Sequence, residues 1–297
     1  MILMKRNILA LVCVLTLIPF CLAGGFDWKK LHEKADTMHS SQDALIRPQG
    51  ETPERFYLLG LVYLNEYKHE KAYDAFSRAV NLDNKTIELK WGVAEVLRRR
   101  HKEAESRTLL EEIIKAAPDF APARISLAYI EYIQGEYNKS VNLARRVIES
   151  GQAQVDKSNY VRAYLLFAGG KGMIAHYGGP ISKVINGTAV LPYLKKAQAL
   201  TPDAAGVLFG LGSFYLLAPS LVGGDRAKAL EYLEKAVAAD PYFADAYVRL
   251  AQVYGFKGDS GKYELYMKRA LEIDPGNALA LDAKSKKCKF ICVSADK

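Results

Sequence analysis

Small and apolar residues recur along the chain at spacings that fit paired helices. In "FYLLGLVYLNEYKHEKAYDAFSRAVNLDN" the small residue Gly60 is followed by Ala72 twelve residues on and by Ala79 seven further. "WGVAEVLRRRHKEAESRTLLEEIIKAAPD" repeats this ladder with Ala94, Ser106 and Ile113, then Pro118. "ISLAYIEYIQGEYNKSVNLARRVIES" gives Ala128, Ser140 and Val147, so successive units start 34 residues apart. Near the end Ala251, Tyr263, Ala270 and Pro275 keep the same spacings. The pattern predicts one helix hairpin per unit. A small residue in the first helix lets the second approach closely, and apolar residues at helical spacing fill the seam. Proline falls where the second helix must stop. Each hairpin exposes an apolar face that only another hairpin can cover, so several must stack.

Two further units fit once insertions are allowed. Ala229, Ala236 and Pro241 keep the spacing, but Gly212 lies seventeen residues before Ala229 instead of twelve. In the preceding unit Gly172 lies eighteen residues before Val190, with Ala197 and Pro202 following. These counts predict two consecutive lengthened turns, "APSLVGGD" and "HYGGPISKVINGT", projecting from one edge of the stack. Asp225 and Thr188 stand where the second helix of each unit should begin and are expected to cap it. Gly223-Gly224-Asp225 therefore reads as a turn. No Lys-Ser or Lys-Thr follows it, nor the "GGKG" at residues 169–172, so neither is a phosphate-binding loop.

The residues Leu59, Gly60, Tyr63, Ala72, Phe76 and Ala79, with Ala270 and Pro275, resemble the tetratricopeptide repeat over residues 53–277. The resemblance implies an all-α fold, a right-handed α-solenoid of about six hairpins. A second resemblance, of the Pro219 to Asp225 turn followed by "RAKALEYLEKAV", is to the tetratricopeptide partners of periplasmic TRAP solute transporters.

The ends of the chain set its expected place. Lys5 and Arg6 precede an apolar run, residues 8–23, and Cys21-Leu22-Ala23 fits signal-peptidase cleavage after Ala23. The run contains Pro19 and is shorter than the ~20 residues of a membrane helix, an uncleaved anchor being the alternative. An exported chain, in the bacterial periplasm, is the expectation, with residues 1–23 as signal peptide. Residues 24–52 read as a helix near 27–38 and a polar linker, with Trp28 and Leu31 free to dock on the first hairpin. Residues 278–297 read as a capping helix and a basic tail carrying Cys288 and Cys292, either a local disulfide or two idle thiols.

Composition narrows the chemistry. Net charge is +8, and cleavage lowers it to +6 by removing Lys5 and Arg6 and no acid. That is mildly basic and, in an exported chain, excludes nucleic acid as the expected partner. The five histidines lack zinc spacing, and no nucleophile, metal or cofactor motif assembles, so the chain reads as non-enzymatic with no cofactor. The densest charge run, Arg98, Arg99, Arg100, His101 and Lys102, is either a solvated helix end or a basic patch for anionic headgroups or an acidic partner. In the resembled family the first helices line the concave side. The resemblance thus implies an inward set of Tyr57, Leu61, Trp91, Tyr129, Tyr132, Phe209 and Gln252, five of the seven aromatic. Aromatics anchor partners, though they also pack between helices. The functional expectation is an exported scaffold holding a protein or peptide segment in an aromatic groove, in assembly of an envelope or secretion complex. The alternative is a small-ligand accessory of a TRAP-type transporter. Nothing in the sequence fixes the oligomeric state.

Overall fold

The computed structural model describes residues 26–39, 41 and 50–291, all helices, turns and connections. A short helix α1 (Trp28–Ala35) precedes six hairpins. These are α2 (Pro53–Asn65) with α3 (His69–Leu82), α4 (Lys90–Arg99) with α5 (Glu103–Ala116), and α6 (Ala121–Gln134) with α7 (Tyr137–Ser150). Then come α8 (Lys157–Tyr177) with α9 (Pro180–Leu200), α10 (Ala205–Leu217) with α11 (Arg226–Ala239), and α12 (Ala244–Phe256) with α13 (Ser260–Ile273). Helix α14 (Ala278–Lys284) covers the last hairpin. The fold is an all-helical, tetratricopeptide-like solenoid. The expected signal peptide, residues 1–23, most of the expected linker and Cys292 lie outside the described residues.

Local chemistry sets the helix ends. Thr52 caps α2, its hydroxyl accepting from Arg55 N, with Pro53 in the first turn where a missing N–H does no harm. Asp225 caps α11 as expected, accepting from Ala227 N at 3.0 Å and Lys228 N at 3.1 Å. Asp259 and Asn277 do the same for α13 and α14.

The small residues act as the ladder requires. The buried Phe76 ring lies between two hairpins: a Cβ on Gly60 would stand 2.6 Å from it, and one on Gly92 2.0 Å. Val190 meets Gly172, where a Cβ would sit at 3.7 Å, and Leu233 meets Gly212 at 2.7 Å.

One lengthened turn is corrected by the structure. In the fourth hairpin the inserted residues prolong both helices to 21 residues each, leaving Gly178 and Gly179 as the connection. Pro180 takes the first position of α9, so Thr188 lies inside that helix and its hydroxyl donates to the Val184 carbonyl at 2.7 Å. Proline suits a first helical turn, and Asn186 also finds a partner one turn back, on Ser182. The fifth hairpin keeps its turn. A 3₁₀ turn at Ser220–Val222 leads to Gly223 at φ +101°, and a Cβ on Gly224 would lie 1.9 Å from the Ala218 carbonyl oxygen.

The solenoid also returns on itself. Tyr67 and His101 are the left-handed turn residues of the first two hairpins, at φ 58° and 57°. The Tyr67 hydroxyl donates to the Asp240 carboxylate, and its ring lies 5.5 Å from that of Tyr242. His101 Nε2 lies 2.8 Å from Asp274 Oδ1. Both contacts span 173 residues, so two consecutive hairpins near one end meet two near the other in matched register.

Gly92→Ala should therefore cost about 1–3 kcal/mol by overpacking against Phe76. Ser220→Ala, on the exposed fifth turn, should stay within about 0.5 kcal/mol of wild type. Denaturant melts of the two variants compare them directly; equal losses would misplace the seam.

Candidate interaction site on the inner face

The inner face of the curved stack is occupied by the chain itself. Helix α1 lies across the first four hairpins. Phe26 meets Tyr57 edge-on at 5.0 Å, His32 lies 5.0 Å from Trp91, and Trp28 meets Phe120 at 5.2 Å. Polar contacts fix the same helix: Asn65 Nδ2 donates to the Ala35 carbonyl, Lys29 Nζ to the Ala153 carbonyl, and Ser158 Oγ to Asp36.

His32 is buried and bonded on both ring nitrogens. Asn159 Nδ2 donates to Asp156 at 2.8 Å and approaches His32 Nδ1 at 3.3 Å, while Arg162 donates to the Asn159 carbonyl oxygen. With the amide so oriented, Nδ1 accepts and Nε2–H donates to the Tyr57 hydroxyl at 3.0 Å. Burial lowers the His32 pKa to about 4, against a partial counter-pull from Asp156. The imidazole is thus neutral.

Behind α1 lies a fully buried carboxylate. Glu95 accepts from Arg98 Nε at 2.8 Å and Nη2 at 2.7 Å, from Arg99 Nε at 3.1 Å, and from Ser126 Oγ at 2.7 Å. Arg162 Nη2 stands 3.8 Å away. Burial alone would raise this carboxyl; Arg98, Arg162 and Arg99 outweigh it and hold it well below the usual carboxylate range. Trp91 Nε1 donates to Ser126 Oγ at 3.0 Å, which ties the second and third hairpins to this centre.

The other end of the inner face holds the C-terminal tail. The Phe290 ring stacks on Tyr132 at 5.9 Å, and Arg249 donates to the Phe290 carbonyl at 2.9 Å and the Ile291 carbonyl at 3.0 Å. Gln252 accepts from Arg249 at 2.8 Å and so orients it. Asp282 accepts from the backbone N–H of Lys289 at 2.9 Å and of Phe290 at 2.8 Å. Tyr177, on the prolonged end of α8, stacks on Tyr137 and donates to the Lys289 carbonyl at 2.7 Å. Cys288 is held in a disulfide.

The residues expected to line an open groove divide accordingly. Tyr57 and Trp91 are buried beneath α1, Leu61 is core, and Gln252 is buried under the tail. Tyr132 carries Phe290, Phe209 packs against Phe243 at 5.0 Å, and half-buried Tyr129 lies under the Arg98 guanidinium at 4.4 Å. The expectation of an open aromatic channel is thus corrected at Tyr57, Trp91, Tyr132 and Gln252, which two segments of the same chain cover. The basic patch is corrected too. Arg98 and Arg99 turn inward to Glu95, and Arg100 pairs with Glu70 over the Tyr73 ring. Lys102 alone of the four is exposed, 3.5 Å from Glu105. Sequence reasoning missed Arg249 and Asp282, which no spacing singled out. It also missed Glu95, although Glu95 stands three and four residues before Arg98 and Arg99, a readable helical pairing.

The tetratricopeptide-repeat family model matches residues 53–86 and 244–277, the first and sixth hairpins. A monomeric mutant of IFIT1 with Gppp-AAAA is similar over 84% of this chain and 57% of its own, with 18% identity and a TM-score of 0.57. The Cut9-Hcn1 hetero-tetramer of APC/C is similar over 85% of this chain and 45% of that one, with 16% identity and a TM-score of 0.52. TTC0263, a thermophilic TPR protein of Thermus thermophilus, shares 17% identity over 80% of this chain and 98% of its own, with a TM-score of 0.47. Comparison with curated proteins finds no match. The chain carries tetratricopeptide repeats, and these likenesses concern the fold. The resemblance to TRAP-transporter partners gains no support from them.

Two outcomes test this site. Glu95→Gln leaves three guanidiniums facing an uncharged amide and should lower stability by about 3–5 kcal/mol in denaturant melts. His32 is neutral when folded but titrates near its ordinary 6.5 when unfolded. Its contribution is complete above that value and is lost as pH falls toward about 4. Wild type should therefore lose up to about 3 kcal/mol more than His32→Gln on acidification from neutral pH.

Proposed function

We propose that this chain is a non-enzymatic, exported interaction scaffold that holds a protein segment against its inner face, in the periplasm, during assembly of an envelope or secretion complex. The observation that carries the reading is that the inner face already grips two segments of its own chain. It does so with edge-on and stacked ring contacts and with side chains that bond backbone groups. A surface so equipped recognises polypeptide. Tetratricopeptide repeats support the same class of function. The basic start, the short apolar run and the cleavage-site residues support export, and the disulfide at Cys288 accords with an oxidising compartment.

A photo-reactive residue in place of half-buried Tyr129 should cross-link a protein in the envelope of producing cells, whereas one in place of exposed Lys268 should not. Intact mass of the purified chain should begin near Gly24. A chain that retains Met1 and needs detergent would instead be anchored. A small molecule retained in native mass spectrometry, with no cross-linked protein, would favour the ligand-accessory alternative.

A further inference from the structure

The tail segment, residues 289–291, is held in a manner that differs from ordinary helix packing. Most of its backbone groups are taken by side chains of the array and of α14, and the Ile291 N–H closes a turn onto the Cys288 carbonyl at 3.1 Å. Asp282 accepts the N–H of Lys289 and Phe290, Tyr177 donates to the Lys289 carbonyl, and Arg249 donates to the carbonyls of Phe290 and Ile291. The Phe290 side chain is buried on Tyr132, beside Tyr137 and Met173. Lys289 reaches back to the Ile133 carbonyl at 2.8 Å. Most of these grips fall on the main chain and would hold another segment that makes the same turn. Selectivity rests on the one ring that fills the Tyr132 side.

The holders are built for the task. Gln252 is buried and its carbonyl oxygen orients Arg249, which is itself buried. Arg249 Nε is buried with no hydrogen-bond partner among the described residues, so the tail leaves one donor of this guanidinium unused. A buried donor left over has a free-energy penalty that a better-fitting ligand removes. Tyr177 stands on the extra turns that lengthen α8, so the insertion in the fourth hairpin contributes directly to this grip.

The geometry points to an interaction site at Tyr132, Tyr177, Arg249 and Asp282 for a peptide turn bearing an aromatic side chain, which the chain's own residues 289–291 fill until a partner displaces them. The inference rests on the reading of the inner face as a partner-binding surface and adds the location, the chemistry of the ligand and a built-in competitor. An intramolecular occupant lowers apparent affinity in proportion to the fraction of molecules whose site it fills. Disrupting the tail should accordingly expose the site.

The probe is a fluorescent synthetic peptide with the sequence of residues 286–297. Phe290→Ala in the full chain should bind it at least about tenfold more tightly than wild type does. Adding Arg249→Met to that variant should weaken binding by about tenfold or more, and a probe with alanine in place of its phenylalanine should bind as weakly. Circular dichroism and melting of each variant establish that the array is intact. Should Phe290→Ala fail to fold, a protease site introduced after Ser285 and cut in the folded full chain replaces it, with fragment release and probe binding as readouts. Equal binding by wild type and the opened chain, or no effect of Arg249→Met, overturns the proposal. That failure would leave cross-linking at Tyr129 unaffected. Probe binding with no cross-linked envelope protein would instead leave this site standing and remove the scaffold reading.

Discussion

Each hairpin approaches the next only as closely as the smallest side chain in the seam allows, and that distance sets the curvature of the stack. Gly60 and Gly92 admit the Phe76 ring between two hairpins, and Gly212 admits Leu233 within one. Because the spacing repeats, the same turn position recurs at Tyr67 and His101, and the same loop position at Asp240 and Asp274. Curvature sustained over six hairpins brings these two series together, so closure is a consequence of local packing accumulated along the chain. A stack that returns on itself encloses an inner surface, and that surface cannot remain an open apolar channel without large exposed area.

The chain resolves this with two kinds of filling. Toward the first hairpins it places a helix whose rings mesh with Tyr57, Trp91 and Phe120, backed by the Glu95 centre. Removing a carboxylate from water is unfavourable unless it is matched by charge and hydrogen bonds, and three arginines with Ser126 supply both. Those arginines come from the second and fourth hairpins and the serine from the third, so the charge balance also fixes how the hairpins sit relative to one another. Neutral His32 belongs to the same arrangement, since a second positive group beside Arg162 would oppose it.

Much of this was legible in the sequence. The hairpins, the capping by Asp225, the fifth turn and the terminal helix follow from spacing and capping residues. The inner-face positions Tyr57, Trp91, Tyr132 and Gln252 follow once the repeat is in register. What covers them could not be read, because it depends on curvature and on contacts between distant residues, such as Lys29 with Ala153 or Arg249 with Phe290. The arginine run misled for a related reason. Its pairing with Glu95 is a local helical spacing, but burial of that face is decided by α1 and by Arg162 on a distant helix. In the fourth hairpin, counting inserted residues located the insertion correctly and left its conformation open. Pro180 was the residue that favoured helix.

The two fillings differ in the physics that retains them. Helix α1 is held by side chains that interlock with particular partners: Trp28 on Phe120, His32 between Tyr57 and Asn159, Ala35 in the first hairpin's core. Replacing it would require another helix with the same rings at the same spacing. The tail presents one large side chain, and its other contacts fall mostly on backbone N–H and carbonyl groups that every polypeptide carries. Interlocked side chains specify a unique occupant, whereas hydrogen bonds to the backbone of a turn specify only the path of the chain. The first-hairpin end of the inner face is therefore structural core, and the exchangeable surface lies at the end where Arg249 and Asp282 face the tail.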